Sequence, residues 1–276
     1  MSEPVDEDIL SGIQNIQVAG IDTEILIEGN GEPLLFLHGL DGLENSISLI
    51  RLLSRDFRVY APSHPGFGAT ALPPHFTAID DAALFYLDLC DALDIGEATF
   101  VGLSFGGWIA AEVLVMAPHR ASRLVLGAPF GLPTADRREQ YVADIFMLSP
   151  AELQARMQNS PSPARADPAT IPEAMLERTV RNSEAAALYG WSPYFNNPKL
   201  RHRLHRVAMP TLILWGEDDR IAPVAYGRGF ADAMPNAEFR TVTNCGHRIQ
   251  IDQPEVAAQA IRDFAATSSA MEEPVT

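Results

Sequence analysis

Residues 98–108, Ala98-Thr99-Phe100-Val101-Gly102-Leu103-Ser104-Phe105-Gly106-Gly107-Trp108, constrain the fold more than any other stretch. A short run rich in β-formers meets a serine with glycine two places before and two places after it. Residues 108–117 then read as a helix, which Pro118 ends. A strand that becomes a helix within a residue or two must pass through a strained corner, and flanking glycines leave room where strand, turn and helix crowd. The Ser104 hydroxyl is then displayed at the carboxyl edge of a sheet, beside helix-start N–H groups that can face a developing negative oxygen. Alone, the pattern also fits a serine that merely caps a helix. Partners elsewhere in the chain must decide.

The chain on either side alternates strands and helices. Residues 16–28 alternate apolar and polar before Gly29-Asn30-Gly31, as an edge hairpin would. The apolar run 33–37 reads as a strand buried on both faces and ends in His38-Gly39-Leu40-Asp41-Gly42. A helix over 44–55, a strand over 57–62 and a helix over 77–93 lead to the serine turn, and a strand over 123–128 follows it. From about Phe130 the pattern breaks: 135–148, 150–158 and 172–189 look helical, with a Pro-rich loop over 160–168. Alternation resumes with a strand over 211–215, a helix over 226–234, a strand over 237–242 and a helix over 255–265; residues 266–276 read as a frayed tail. The expectation is a mostly parallel α/β sheet built from 1–130 and 208–276, with 131–207 a helical cap inserted over it.

Composition narrows the partners. With a formal net charge of −16, the 276-residue chain is a poor ligand for nucleic acid or an anionic membrane surface. Its longest apolar stretch, near 108–117, is too short to span a bilayer and contains Glu112. Cys90 and Cys245 lie far apart with no metal-ligand spacing, so neither a disulfide scaffold nor a metal site is expected. The acidic start, unlike a secretory leader, adds to a cytoplasmic expectation.

Three chemical signals sit where strands end: Ser104, the pair Asp218-Asp219, and His247 in Cys245-Gly246-His247. The carboxyl ends of parallel strands share one crevice, so these groups can converge as nucleophile, acid and base. Successive side chains of an extended segment face opposite ways, so only one of the two aspartates can face His247, and composition does not say which. Asp136 is a further acid, far into the insertion. His38 precedes a glycine turn and reads as a buttress of that loop rather than a base. His64 and His75 show no partner, and His119, His202 and His205 lie in surface-like, Arg-containing stretches. Cys245 lacks a basic activator other than His247. Trp191, Tyr194 and Phe195 cluster in the insertion as cap core or substrate contacts.

These stretches, with Ala61-Pro62-Ser63-His64-Pro65-Gly66-Phe67-Gly68 and Leu214-Trp215-Gly216-Glu217-Asp218-Asp219-Arg220, resemble the α/β-hydrolases, in particular small bacterial esterases and carbon–carbon-bond hydrolases. The resemblance runs in order from about residue 30 to 250, and it departs at Ser63-His64, where many members carry Asp. It implies a doubly wound α/β-hydrolase sheet with a variable helical cap, a triad of Ser104, Asp219 and His247, and an oxyanion hole of the Leu40 and Phe105 backbone N–H groups. Asp219 is chosen because the family's acid is the third residue after the strand-ending glycine, here Gly216. Trp191, Tyr194 and His38 are the candidate substrate contacts. The function expected is a cofactor-independent, metal-free serine esterase acting on a small hydrophobic ester. Carbon–carbon hydrolysis of vinylogous diketones and non-catalytic sensing of a small molecule are the alternatives. A serine at the turn disfavours relatives such as haloalkane dehalogenases and epoxide hydrolases, which use Asp there.

Overall fold

The computed structural model describes residues 11–133, 142–160 and 171–269. Eight strands form one sheet: β1 Ile13–Val18, β2 Ile21–Glu28, β3 Glu32–Leu37, β4 Phe57–Pro62, β5 Ala98–Leu103, β6 Ala121–Gly127, β7 Thr211–Gly216 and β8 Ala237–Val242. Their order is β1-β2-β4-β3-β5-β6-β7-β8, with β1 and β2 antiparallel to their neighbours and the rest parallel. β5 and β7 are buried along their whole length, as their unbroken apolar runs require of strands covered on both faces. α2 (Ile79–Ala92), α3 (Phe105–Met116) and α6 (Val224–Ala231) pack on one face. α1 (Ile47–Leu53), α7 (Ile249–Asp252) and α8 (Pro254–Ser269) cover the other. This is the doubly wound sheet expected.

β3 lies between β4 and β5, so the direction of winding reverses between β3 and β5. A crevice opens at such a switch point, outside the carboxyl ends of the strands. Here it falls between His38-Gly39-Leu40 after β3 and Ser104 after β5. The segment between β6 and β7 carries α4 (Pro150–Met157) and α5 (Glu173–Gly190). A reciprocal cap between Ser149 and Glu152 starts α4.

Three local expectations are corrected. The hairpin turn is Ala19-Gly20, not Gly29-Asn30-Gly31, and both turn residues have positive φ (49° and 85°) as a two-residue hairpin demands. Gly29-Asn30-Gly31 instead leads into β3, which does not pair with β2. The helix expected over 135–148 is absent from its described part, 142–148, because the Ala143 N–H is drawn to the Ile221 carbonyl at 2.7 Å; the remainder, with Asp136, lies outside the described residues. The last helix, expected to end at 265, runs to Ser269, and the rest of the supposed tail lies outside the described residues.

α5 is bolted to the sheet by Arg178. Its guanidinium donates to both oxygens of Glu24, at 2.7 and 2.8 Å, and to Glu44. Burial by itself raises the Glu24 pKa, but the bonds from Arg178 and Ser63 outweigh it and hold the carboxyl below its usual range. Arg178→Met is expected to cost about 3–5 kcal/mol, because it strands buried carboxylates without their cation. A carboxylate with a depressed folded pKa stabilises above its unfolded value, near 4.3, and that contribution is lost as pH falls through the folded value. Denaturant midpoints should therefore differ most between wild type and Arg178→Met at neutral pH, and converge below about pH 4.

Candidate active site

Ser104 sits at the corner between β5 and α3 with φ 50° and ψ −112°, a conformation that costs a residue bearing a Cβ about 1–3 kcal/mol. Its neighbours make the corner possible. A Cβ on Gly106 would lie 2.3 Å from the Leu37 carbonyl oxygen and 2.4 Å from that of His38, so only glycine lets the start of α3 meet the end of β3. The Ser104 N–H is fixed by the Gly127 carbonyl at 2.7 Å, and its own carbonyl takes N–H bonds from Trp108 and Phe130.

Two further loops converge on this serine. Gly216 ends β7 against the 245–247 loop; a Cβ there would meet the Gly246 oxygen at 2.1 Å. The approach sets Asp219 beside His247: Asp219 Oδ2 accepts from His247 Nδ1 at 2.8 Å, and His247 Nε2 lies 2.8 Å from Ser104 Oγ. Asp219 Oδ1 accepts from the N–H groups of Ile221 and Ala222 at 2.8 and 2.9 Å, which locks the carboxylate in plane. All three residues are buried, and the Phe130 ring stacks on the imidazole with centroids 5.1 Å apart. Asp218 turns away and accepts from the Asn159 amide at 2.6 Å. Nδ1–H donating to a carboxylate leaves the Nε2 lone pair facing the serine hydroxyl, the arrangement that can remove its proton.

Phe105 N–H opens α3 and Leu40 N–H follows Gly39; a Cβ on Gly39 would stand 3.6 Å from Ser104 Cβ. Beside Leu40 and Arg248 lies a cavity of about 440 Å³, lined also by Ile145, Phe146, Met157 and Ala186. Its polar side carries Asp41, Asn182 and the Arg248 guanidinium, which pairs with Asp41 at 2.8 Å and donates to Gln154. Burial pushes the Cys245 thiol up to about 12, so it is no ready nucleophile. Among the described residues, no cluster of His, Cys, Asp or Glu could hold a metal ion, and no helix is long and apolar enough to cross a membrane.

The three residues expected to touch substrate do not line this cavity. Trp191 is 67% exposed, with its ring against Phe146. Tyr194 spends its hydroxyl on the Ala143 carbonyl and the Ile145 N–H, both at 2.7 Å, which holds the turn that presents Phe146. His38 is fully buried with both ring nitrogens bonded. Phe146 falls in the stretch read as a helix, which gives its ring no direction, and Phe130 marks only where the alternation breaks; for Arg248 the position next to His247 is the one available signal.

Residues 32–254 match the family described by the alpha/beta hydrolase fold. The chain belongs to that family. Over 265 residues, 88% of this chain and 97% of the relative, it is 29% identical to BpoC of Mycobacterium tuberculosis H37Rv, provisionally assigned as a non-heme bromoperoxidase. It is 27% identical over 268 residues (90% of this chain, 89% of the relative) to the 2-hydroxy-6-oxo-6-(2'-aminophenyl)hexa-2,4-dienoic acid hydrolase of Metapseudomonas resinovorans. A protein of Acinetobacter baumannii AYE, provisionally assigned as a lipase, superposes on this α/β hydrolase with a TM-score of 0.80. The two are 19% identical, and 99% of each chain is covered, a likeness of fold.

Proposed function

We propose that this α/β hydrolase is a cofactor-independent serine hydrolase that cleaves small, largely apolar carboxylic esters. The observation that carries the reading is the unbroken line Ser104 Oγ, His247 Nε2, His247 Nδ1, Asp219 Oδ2, with both separations 2.8 Å. His247 Nε2 takes the hydroxyl proton as Ser104 Oγ bonds to the ester carbonyl carbon, and Asp219 stabilises the imidazolium. The carbonyl oxygen, now negative, is received by the Leu40 and Phe105 N–H groups. As the intermediate collapses, the C–O bond breaks and the alcohol leaves with the proton from His247. Water, deprotonated by His247, then releases the acid from the acyl-serine.

We assign residues 131–207 the role of a cap, with the apolar wall of the cavity receiving one arm of the substrate. Phe146→Ala should then move the preferred acyl chain to greater length, while Trp191→Ala leaves the chain-length profile of kcat/KM unchanged. Both cysteines are free and buried, in keeping with a cytoplasmic setting.

The resemblance to the dienoic acid hydrolase favours a second reading, carbon–carbon cleavage by the same triad. A substrate carboxylate would call for an available cation. Among the described residues lining the cavity the one cation is Arg248, already paired with Asp41. That places esters first. Purified protein offered nitrophenyl esters of graded chain length and a 6-oxo dienoate separates the readings: faster turnover of the dienoate reverses their order. Ligand binding with negligible turnover of either would leave a sensor.

A further inference from the structure

Behind the loop that carries Leu40, three buried side chains form a hydrogen-bonded series outside the reaction just described. His64 Nε2 lies 2.8 Å from the His38 carbonyl oxygen, which only accepts, so Nε2 carries the ring proton and Nδ1 the lone pair. Tyr86, on α2, therefore donates its hydroxyl to His64 Nδ1 at 2.6 Å. The His64 backbone N–H donates to His38 Nε2 at 3.2 Å, which leaves the His38 proton on Nδ1, and Nδ1–H donates to the Gly39 carbonyl at 2.7 Å. Every ring nitrogen is occupied. The two imidazole rings lie against each other, tilted by 34° with centroids 3.8 Å apart, and both are fully buried. Burial pushes both away from the protonated form, His64 the further. His64 is one of the two loop histidines for which the sequence shows no partner.

The end of the series is what matters. The Gly39 carbonyl and the Leu40 N–H belong to one planar trans peptide and point in opposite directions. Anchoring the oxygen therefore aims the N–H. Gly42 N–H adds a longer contact to the same oxygen, at 3.3 Å, and Gly39 stands directly against Ser104. We infer that Tyr86, His64 and His38 are positioning residues. They hold the Gly39–Leu40 peptide so that its N–H meets the oxyanion formed on addition of Ser104. The inference rests on the reading of Leu40 as an oxyanion donor. It extends that reading to two residues, His64 and Tyr86, that touch neither substrate nor triad.

A donor that engages only the oxyanion acts on kcat and not on substrate binding. On one nitrophenyl ester, His38→Val should lower kcat roughly 30- to 100-fold with KM within about twofold of wild type. His38→Asn, whose amide N–H can stand where Nδ1–H stood and reach the Gly39 carbonyl, should recover at least about tenfold of that loss. Tyr86→Phe, which keeps the packed ring, should lower kcat about 5- to 10-fold, again at constant KM. Affinity for a boronic acid that forms a tetrahedral serine adduct should fall in parallel. Nitrogen NMR of the imidazoles supplies a readout free of substrate. Wild type should show His38 protonated at Nδ1 and His64 at Nε2; in Tyr86→Phe the His64 proton should stay on Nε2, held by the His38 carbonyl, while the Nδ1 resonance shifts as it loses its donor. Reversed tautomers in wild type overturn the inference, as does a His38→Asn variant no better than His38→Val, or losses that appear in KM alone. An ester activity that survives Ser104→Ala, or no ester turnover at all, would strike the function reading instead, and the spectra would still judge the peptide anchor.

Discussion

Ser104→Ala is expected to lower kcat on a nitrophenyl ester by about 10⁶-fold, the scale on which serine enzymes lose activity when the nucleophile is deleted. The substitution removes one oxygen, whose hydrogen bond is to His247 Nε2. The backbone strain at φ 50° is unchanged, because alanine carries the same Cβ. The bonds from Ser104 N to Gly127 and from Trp108 and Phe130 to the Ser104 carbonyl persist. Thermal unfolding should therefore shift by less than about 1 kcal/mol, which separates loss of chemistry from loss of fold. A serine-directed fluorophosphonate should label wild type once, at Ser104, and leave the variant unlabelled. Stoichiometric labelling of the variant would move the nucleophile elsewhere.

The second large effect divides two adjacent aspartates. Asp219→Asn should lose about 10⁴ in kcat, while Asp218→Asn stays within about tenfold of wild type. In the variant, the Ile221 and Ala222 N–H groups still need an acceptor, so the asparagine oxygen takes the Oδ1 position and the NH₂ faces His247. The imidazole must then accept at Nδ1 and carry its proton on Nε2, where it opposes the Ser104 hydroxyl instead of receiving its proton. Two effects compound: the working tautomer is disfavoured and the imidazolium loses its counter-charge. Asp218 faces Asn159, and the oxygen of an asparagine at that position can still accept from the Asn159 amide, so little changes there. Measuring kcat for both on the same ester decides the assignment; a reversed ranking hands the acid to Asp218, and two mild effects remove both.

The framework was legible because its signals are local. β3, β5 and β7 announce themselves as unbroken apolar runs, since each is buried on both faces, and β4 and β8 were bounded to the residue. Gly102-x-Ser104-x-Gly106 marks its corner because only small residues fit there. The alternation of strands and helices then dictates a mostly parallel sheet, and with it a common edge for Ser104, Asp219 and His247. Where local chemistry misleads, as at the Ala19-Gly20 turn, alanine at positive φ gives no warning.

What the tertiary structure alone decided is which groups face one another. Ser104 and His247 meet across 143 positions, Arg178 and Glu24 across 154. The partnership of His64 with Tyr86 and His38, the pairing of Arg248 with Asp41, and the choice of Phe146 over Trp191 as cavity wall all arise where separate loops are pressed together. Periodicity reports that a side chain is turned inward, never against what. Burial is a property of one residue and its spacing, whereas a hydrogen bond belongs to two segments whose approach is set by every helix packed between them.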